Sequence, residues 1–177
     1  YSKSVAIAND LFKNRTELDL EYKRVLLDLI DTNYAKLGLY DRQFEIRNEK
    51  KDLGLSDKVV FYDIYSNLGL HRKAMDDYIK DMLKTLNEDD YYGQAEYQNN
   101  VGTYLMLDMS TPTALTYYKK AEGFINVYLN DISTDKSEEE INRGNLLKGI
   151  IEGNIGKCYA LLKEFDLGIS FLQSSIT

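Results

Sequence analysis

The chain has 177 residues, 44% of them hydrophobic and 29% charged, with one proline, eleven glycines and a formal net charge of −7, a composition suited to a folded helical domain and unlike a disordered one. Its lysines and arginines are interspersed with acids, which counts against nucleic acid, because phosphate binding needs clustered cations that release counterions. No apolar run approaches the roughly 20 residues of a membrane span.

The opening stretch carries Val5, Ile7, Ala8, Leu11 and Phe12 and reads as a helix, the second of an earlier hairpin. Thr16-Glu17-Leu18-Asp19 opens another, with Leu18, Tyr22, Val25, Leu26, Leu29, Ile30 and Leu37 recurring at threes and fours. Ser56 with Asp57 starts the next, which ends near Gly69, and Asn87 to Asp90 reads as a loop. Pro112 follows Ser110 and Thr111, where the first turn of a helix tolerates it. Asn130 to Lys136 is a second loop. After it, Ser137-Glu138-Glu139-Glu140 forms a capping box, in which the serine hydroxyl and Glu140 satisfy each other's exposed amides, opening a helix that runs to about Leu162.

Within this order a hairpin recurs. Val101, Gly102 and Leu105 are followed by Ala114, Tyr118 and Ala121; Ile155, Gly156 and Tyr159 by Gly168, Leu172 and Ser175. In both, the glycine precedes the small residue by twelve positions. A residue with little side chain lets antiparallel helices approach, and an aromatic one turn away fills the flanking groove. Two further copies are looser: Phe61, Tyr65, Leu68, Gly69, Ala74 and Tyr78, with Tyr62 and Asp81 at small positions; and Ile30, Tyr34, Leu37 and Gly38, departing at Gln43, Arg47 and Lys50. Lys36-Leu37-Gly38-Leu39-Tyr40 parallels Asn67-Leu68-Gly69-Leu70-His71. A hairpin this small cannot bury its apolar face alone, so repetition implies a stack with an extended surface rather than a catalytic pocket.

These positions resemble the tetratricopeptide repeat, the TPR family. Copies start 31, 40 and 54 residues apart against the family's roughly 34, so two hairpins must be enlarged. The resemblance implies an all-α fold, a right-handed α-solenoid of antiparallel helix hairpins, with a partial repeat at 1–15 and repeats at about 16–53, 54–90, 91–131 and 137–177. It also reads the chain as part of a longer protein. By analogy with the family, first helices line a groove two residues before the large apolar position, two after and five after. Projected here, the groove carries Asp28 and Thr32, Asp63 and Ser66, Asn99, Thr103 and Met106, and Lys157, besides Ala35, Val59, Gly153 and Ala160. Chaperone-binding members grip a terminal carboxylate with a lysine and two asparagines. Here Asn99, Asn100 and Lys157 alone would contribute, so a polar or basic peptide, or an intramolecular segment, fits better.

Catalytic constellations are poor. His71 falls at a hairpin turn and Cys158 inside a helix, leaving no zinc pair and no redox Cys-x-x-Cys. The acidic runs at Glu88 and Glu138 lack the alternating ligands and glycine turn of a calcium loop. Neither Glu152 nor Glu164 stands out as half of a catalytic pair, so no catalytic residue, metal or cofactor is expected. Tyr34, Tyr65, Tyr78, Tyr118 and Tyr159 fall on packing positions; Tyr91, Tyr92, Tyr97, Tyr104 and Tyr128 lie outside them.

The expected activity is therefore protein or peptide binding, without nucleic acid or membrane contact. In style the repeats resemble the N-terminal TPR sensor regions of bacterial two-component histidine kinases and related regulators of the Bacteroidetes type. That would place the segment outside the cytoplasm in a membrane-anchored signalling protein. The alternative is a cytoplasmic TPR adaptor or peptide-sensing regulator. Apolar faces at the ends would allow a homodimer.

Overall fold

The computed structural model describes residues 2–14, 19–55, 60–131 and 135–176. All regular structure among them is helical: α1 (Ser2–Asn14), α2 (Leu20–Lys36), α3 (Tyr40–Asp52), α4 (Tyr62–Asn67), α5 (His71–Met82), α6 (Tyr91–Leu107), α7 (Thr111–Asn130), α8 (Glu138–Leu161) and α9 (Phe165–Ser174). The chain divides into two compact units, Tyr1–Tyr78 and Ile79–Thr177.

In the first unit α1 packs on α2, α2 on α3 and α3 on α4. Its core joins Ala8, Leu27, Ile30 and Ile46, with Phe12 and Tyr34 against them. The expected opening of α2 moves: Thr16 lies outside the described residues, and Asp19 is the N-cap, its carboxylate accepting from the Tyr22 amide at 2.9 Å. The buried face of α2 also differs from the expected stripe. Leu27, Ile30 and Asn33 are buried, while Tyr22, Val25 and Leu29 are exposed. This helix is apolar on two sides, so periodicity alone leaves the inward face open, and packing on Ala8 and Ile46 selects it. Helix α4 is shorter than expected, with Phe61 as its N-cap, and Ser56 and Asp57 fall outside the described residues. Phe61 joins Phe44 and Tyr65 in a ring cluster with centroids 4.9 to 6.4 Å apart.

In the second unit α6 packs on α7, α7 on α8 and α8 on α9, and α6 also touches α8. Ala114, Tyr118, Ile125, Ile151, Ile155 and Cys158 form the heart of its core. Each fully buried isoleucine contributes roughly 1.5–3 kcal/mol by leaving water. The Ser137 and Glu140 capping box is present, with the Ser137 amide donating to Glu140 Oε2 at 2.9 Å. Pro112 occupies the first turn of α7.

One turn recurs in both units. At Gly38, Gly69, Met109 and Lys163 the backbone enters the left-handed region, with φ of 68°, 74°, 59° and 66°. The next residue donates back to the carbonyl of Tyr34, Tyr65, Leu105 and Tyr159 respectively, and a new helix starts one residue later. This is the Schellman closure of a helix C-terminus. It fixes a common register for the four hairpins.

In that register the residue seven before the turn meets the residue nine after it. The pairs are Asp31 with Arg47, Tyr62 with Tyr78, Gly102 with Tyr118, and Gly156 with Leu172. All four touch: an ion pair at 3.2 Å, an edge-on ring contact at 5.2 Å, and two glycines where an added Cβ would lie 2.7 Å from the Tyr118 ring and 2.8 Å from Leu172 Cγ. The tight crossings expected at Gly102 and Gly156 are thus present in mid-helix. Gly123, inside α7, is the opposite case, with nothing within 4 Å of a Cβ built there. Gly123→Ala should raise stability by about 0.5–1 kcal/mol through helix propensity, seen as a higher urea midpoint at unchanged m-value.

Candidate functional site

Each unit carries its own share of the groove residues. In the second unit they lie where α6 and α8 run side by side. Asn154 Nδ2 of α8 donates to Asn99 Oδ1 of α6 at 3.0 Å, and the Cys158 thiol approaches Met106 Sδ at 3.5 Å. The two contacts occur in the same order along both helices, so α6 and α8 point the same way. Asn99 is only 6% exposed, which corrects its expected place on an open surface: it forms the floor of the seam. Met106 is half-buried beside it, and Thr103 and Lys157 are exposed. Thr103 links the seam to the core, because its hydroxyl donates to the Asn99 carbonyl at 3.0 Å and accepts from Tyr118 Oη at 3.2 Å. Burial pushes the Tyr118 phenol above its ordinary range, with the Thr103 bond acting the other way.

The first unit is more strongly paired than the sequence implied. Asp28 accepts from Lys50 of α3 at 2.5 Å. The Asp63 carboxylate takes both terminal nitrogens of Arg47, whose Nε reaches Asp31 at 3.2 Å and whose Nη1 donates to the Val60 carbonyl at 2.7 Å. Thr32 is exposed and Ser66 half-buried. The acidic groups expected to attract a basic peptide are therefore engaged internally. Burial works against the Arg47 charge, but bonding to Asp63 and the field of both carboxylates hold the guanidinium above its ordinary value.

Arg47, Lys50, Asp31 and Asn154 were not among the expected site residues. A signal for the first two existed, since they occupy repeat positions filled elsewhere by Tyr118 or Leu172 and by Ala121 or Ser175. Their partners Asp31 and Asp28 stand where the fourth copy has Gly156 and Gly153. Charge pairs thus replace close backbone approach in the first hairpin.

Among the described residues no group of three or more histidine, cysteine or acidic side chains is placed to hold a metal, and no helix is long and apolar enough to cross a membrane. His71 is the first residue of α5, equivalent to Tyr40, Thr111 and Phe165. Cys158 is completely buried, and burial pushes its thiol up to about 11 from an ordinary value near 9, against the opposing field of Lys157. It should resist thiol reagents at about pH 8 in the native protein and react on unfolding. The unfolded chain ionises this thiol first, so its contribution to stability is complete below about pH 9 and fades as pH rises toward 11, with a slope of at most about 1.4 kcal/mol per pH unit. Urea melts of the wild type and Cys158→Ala across that range should diverge; parallel curves would refute this.

No family model matches the chain, and no curated protein matches it.

Proposed function

We propose that this chain is a non-catalytic interaction module, a TPR-like right-handed α-solenoid that holds a protein or peptide segment against its first-of-hairpin helices. The observation that carries the reading is the shared register of the four turns at Gly38, Gly69, Met109 and Lys163, with an equivalent contact pair inside each hairpin. Equivalent hairpins within one unit pack side by side, and in the second unit their first helices, α6 and α8, form the seam. Exposed Thr103 and Lys157 stand beside half-buried Met106 and above buried Asn99, so a peptide laid there meets polar groups and an apolar side chain.

Within this reading the module serves a larger bacterial signalling protein, a two-component histidine kinase or a transcriptional regulator, as its sensory region. Partner binding would favour one arrangement of the hairpins over another and so bias an output region.

Thermal shift against a peptide library tests binding, since ligands of the native state raise apparent stability. Chemical-shift mapping of a hit should then move Thr103, Asn154 and Lys157. A flat library response, or shifts confined to α7 and α9, would overturn the reading. The parent gene tests the signalling part: it should encode a kinase or DNA-binding region.

A further inference from the structure

We propose that the end of the second unit where α6 begins and α7 ends is a carbohydrate-binding cleft, taking a neutral pyranose ring or a short oligosaccharide. The site is independent of the seam between α6 and α8.

An open cleft of about 580 Å³ is lined there by Tyr91, Asn126, Val127, Asn130 and Asp131, within the roughly 300–1,000 Å³ typical of small-molecule sites. The neighbouring rings are already engaged. Tyr92 and Tyr128 meet edge-on at 5.4 Å, the Arg143 guanidinium lies 5.2 Å above Tyr92, and the Lys136 amine lies 5.2 Å above Tyr128. Tyr91 differs, being 36% exposed and having no ring, cation or side-chain hydrogen-bond partner among the described residues. The carboxamides of Asn126 and Asn130 likewise bond to no described residue.

These unengaged groups share one chemistry. A carboxamide offers a donor and an acceptor side by side, the complement of a hydroxyl that must do both. Asn126 and Asn130 are one helical turn apart on α7, roughly 5–6 Å, about the span of hydroxyls across a pyranose ring. The Tyr91 ring and Val127, 47% exposed, supply an apolar wall for the C–H face of such a ring. Asp131 is already engaged: Lys136 Nζ donates to its carbonyl at 2.6 Å and lies 4.0 Å from its carboxylate, offsetting its charge so that no cationic ligand is required. Anions are disfavoured at the C-terminus of α7, where the helix dipole is negative.

Titration of the intact chain, followed by ¹H–¹⁵N correlation spectra, tests this with methyl glucoside, methyl galactoside, methyl mannoside, N-acetylglucosamine and their disaccharides. Glycerol serves as a control with hydroxyls but no ring face. At least one sugar should give saturable, millimolar shifts at the Asn126 and Asn130 side-chain amides and the Tyr91 backbone amide. Tyr91→Ala and Asn130→Ala should each weaken binding about tenfold while leaving the thermal melt unchanged. No saturable response to any sugar, an equal response to glycerol, or undiminished binding by folded Tyr91→Ala would overturn the proposal. So would shifts at these residues produced by inorganic phosphate and not by sugars.

Discussion

Gly156→Val is expected to lower the unfolding free energy by about 3 kcal/mol. A Cβ at this position would lie 2.8 Å from Leu172 Cγ and 3.0 Å from both the Gly168 carbonyl oxygen and the Leu172 amide nitrogen. Two of these three atoms are backbone, so no rotamer change clears the space and α9 must move off α8. Overpacking of this kind costs typically 1–3 kcal/mol, and a β-branched side chain regains little helix propensity over glycine. Gly102 gives the contrast. The three atoms nearest its added Cβ all belong to the Tyr118 ring, the closest at 2.7 Å. In a double-mutant cycle Gly102→Ala should therefore cost much less once Tyr118 is replaced by alanine, whereas Leu172→Ala relieves Gly156→Ala only in part. Additive behaviour at Gly102, or a neutral Gly156→Val, would show that the crossings are not close-packed.

Arg47→Leu should cost about 3 kcal/mol. The guanidinium is 12% exposed, and Asp31, its partner on α2, is 15% exposed, so truncation leaves a carboxylate shielded from water and unpaired. Breaking a buried pair from one side costs about 3–5 kcal/mol. The lower end applies because Asp63, 42% exposed, can rehydrate. The fourth hairpin supplies a rescue. Asp31→Gly combined with Arg47→Leu installs the Gly156 and Leu172 pair at the equivalent positions, and should recover at least about 1 kcal/mol relative to Arg47→Leu alone despite the helix-propensity cost of glycine. Urea unfolding monitored by circular dichroism measures both. A double variant less stable than Arg47→Leu would mean that the two hairpins do not share the same crossing geometry.

Arg47 also shows how far repeat reasoning reaches. At the sequence level it was a departure from the pattern, a charge where an aromatic belonged. The structure shows that the position does its usual work, contacting the helix opposite, because its partner Asp31 departed with it. A sequence pattern built from residue types misses such paired substitutions. A contact register built from backbone turns keeps them.

Local chemistry was legible wherever a few neighbouring residues suffice. Ser137 with Glu140 capped a helix, Pro112 marked a first turn, and a helix ended near Gly69. Met109 and Lys163 close the same turn without glycine, at the conformational cost that non-glycine residues bear there, and no composition rule flags them. The groove was less legible. Asn99 could be placed on a face by its offset from Val101, but its burial required Asn154, 55 residues along the chain.

The amino-acid sequence by itself determined the helical character of this protein, the helix starts at Ser137 and Pro112, and the recurrence of one hairpin, because each depends on interactions within a few residues or on a short period. Tertiary structure alone decided which face of α2 turns inward, that Asp28 and Asp63 are held by Lys50 and Arg47, and that Asn99 lies beneath the surface. Those outcomes depend on which distant helix arrives to exclude water, and periodicity along a single helix carries no record of its neighbour.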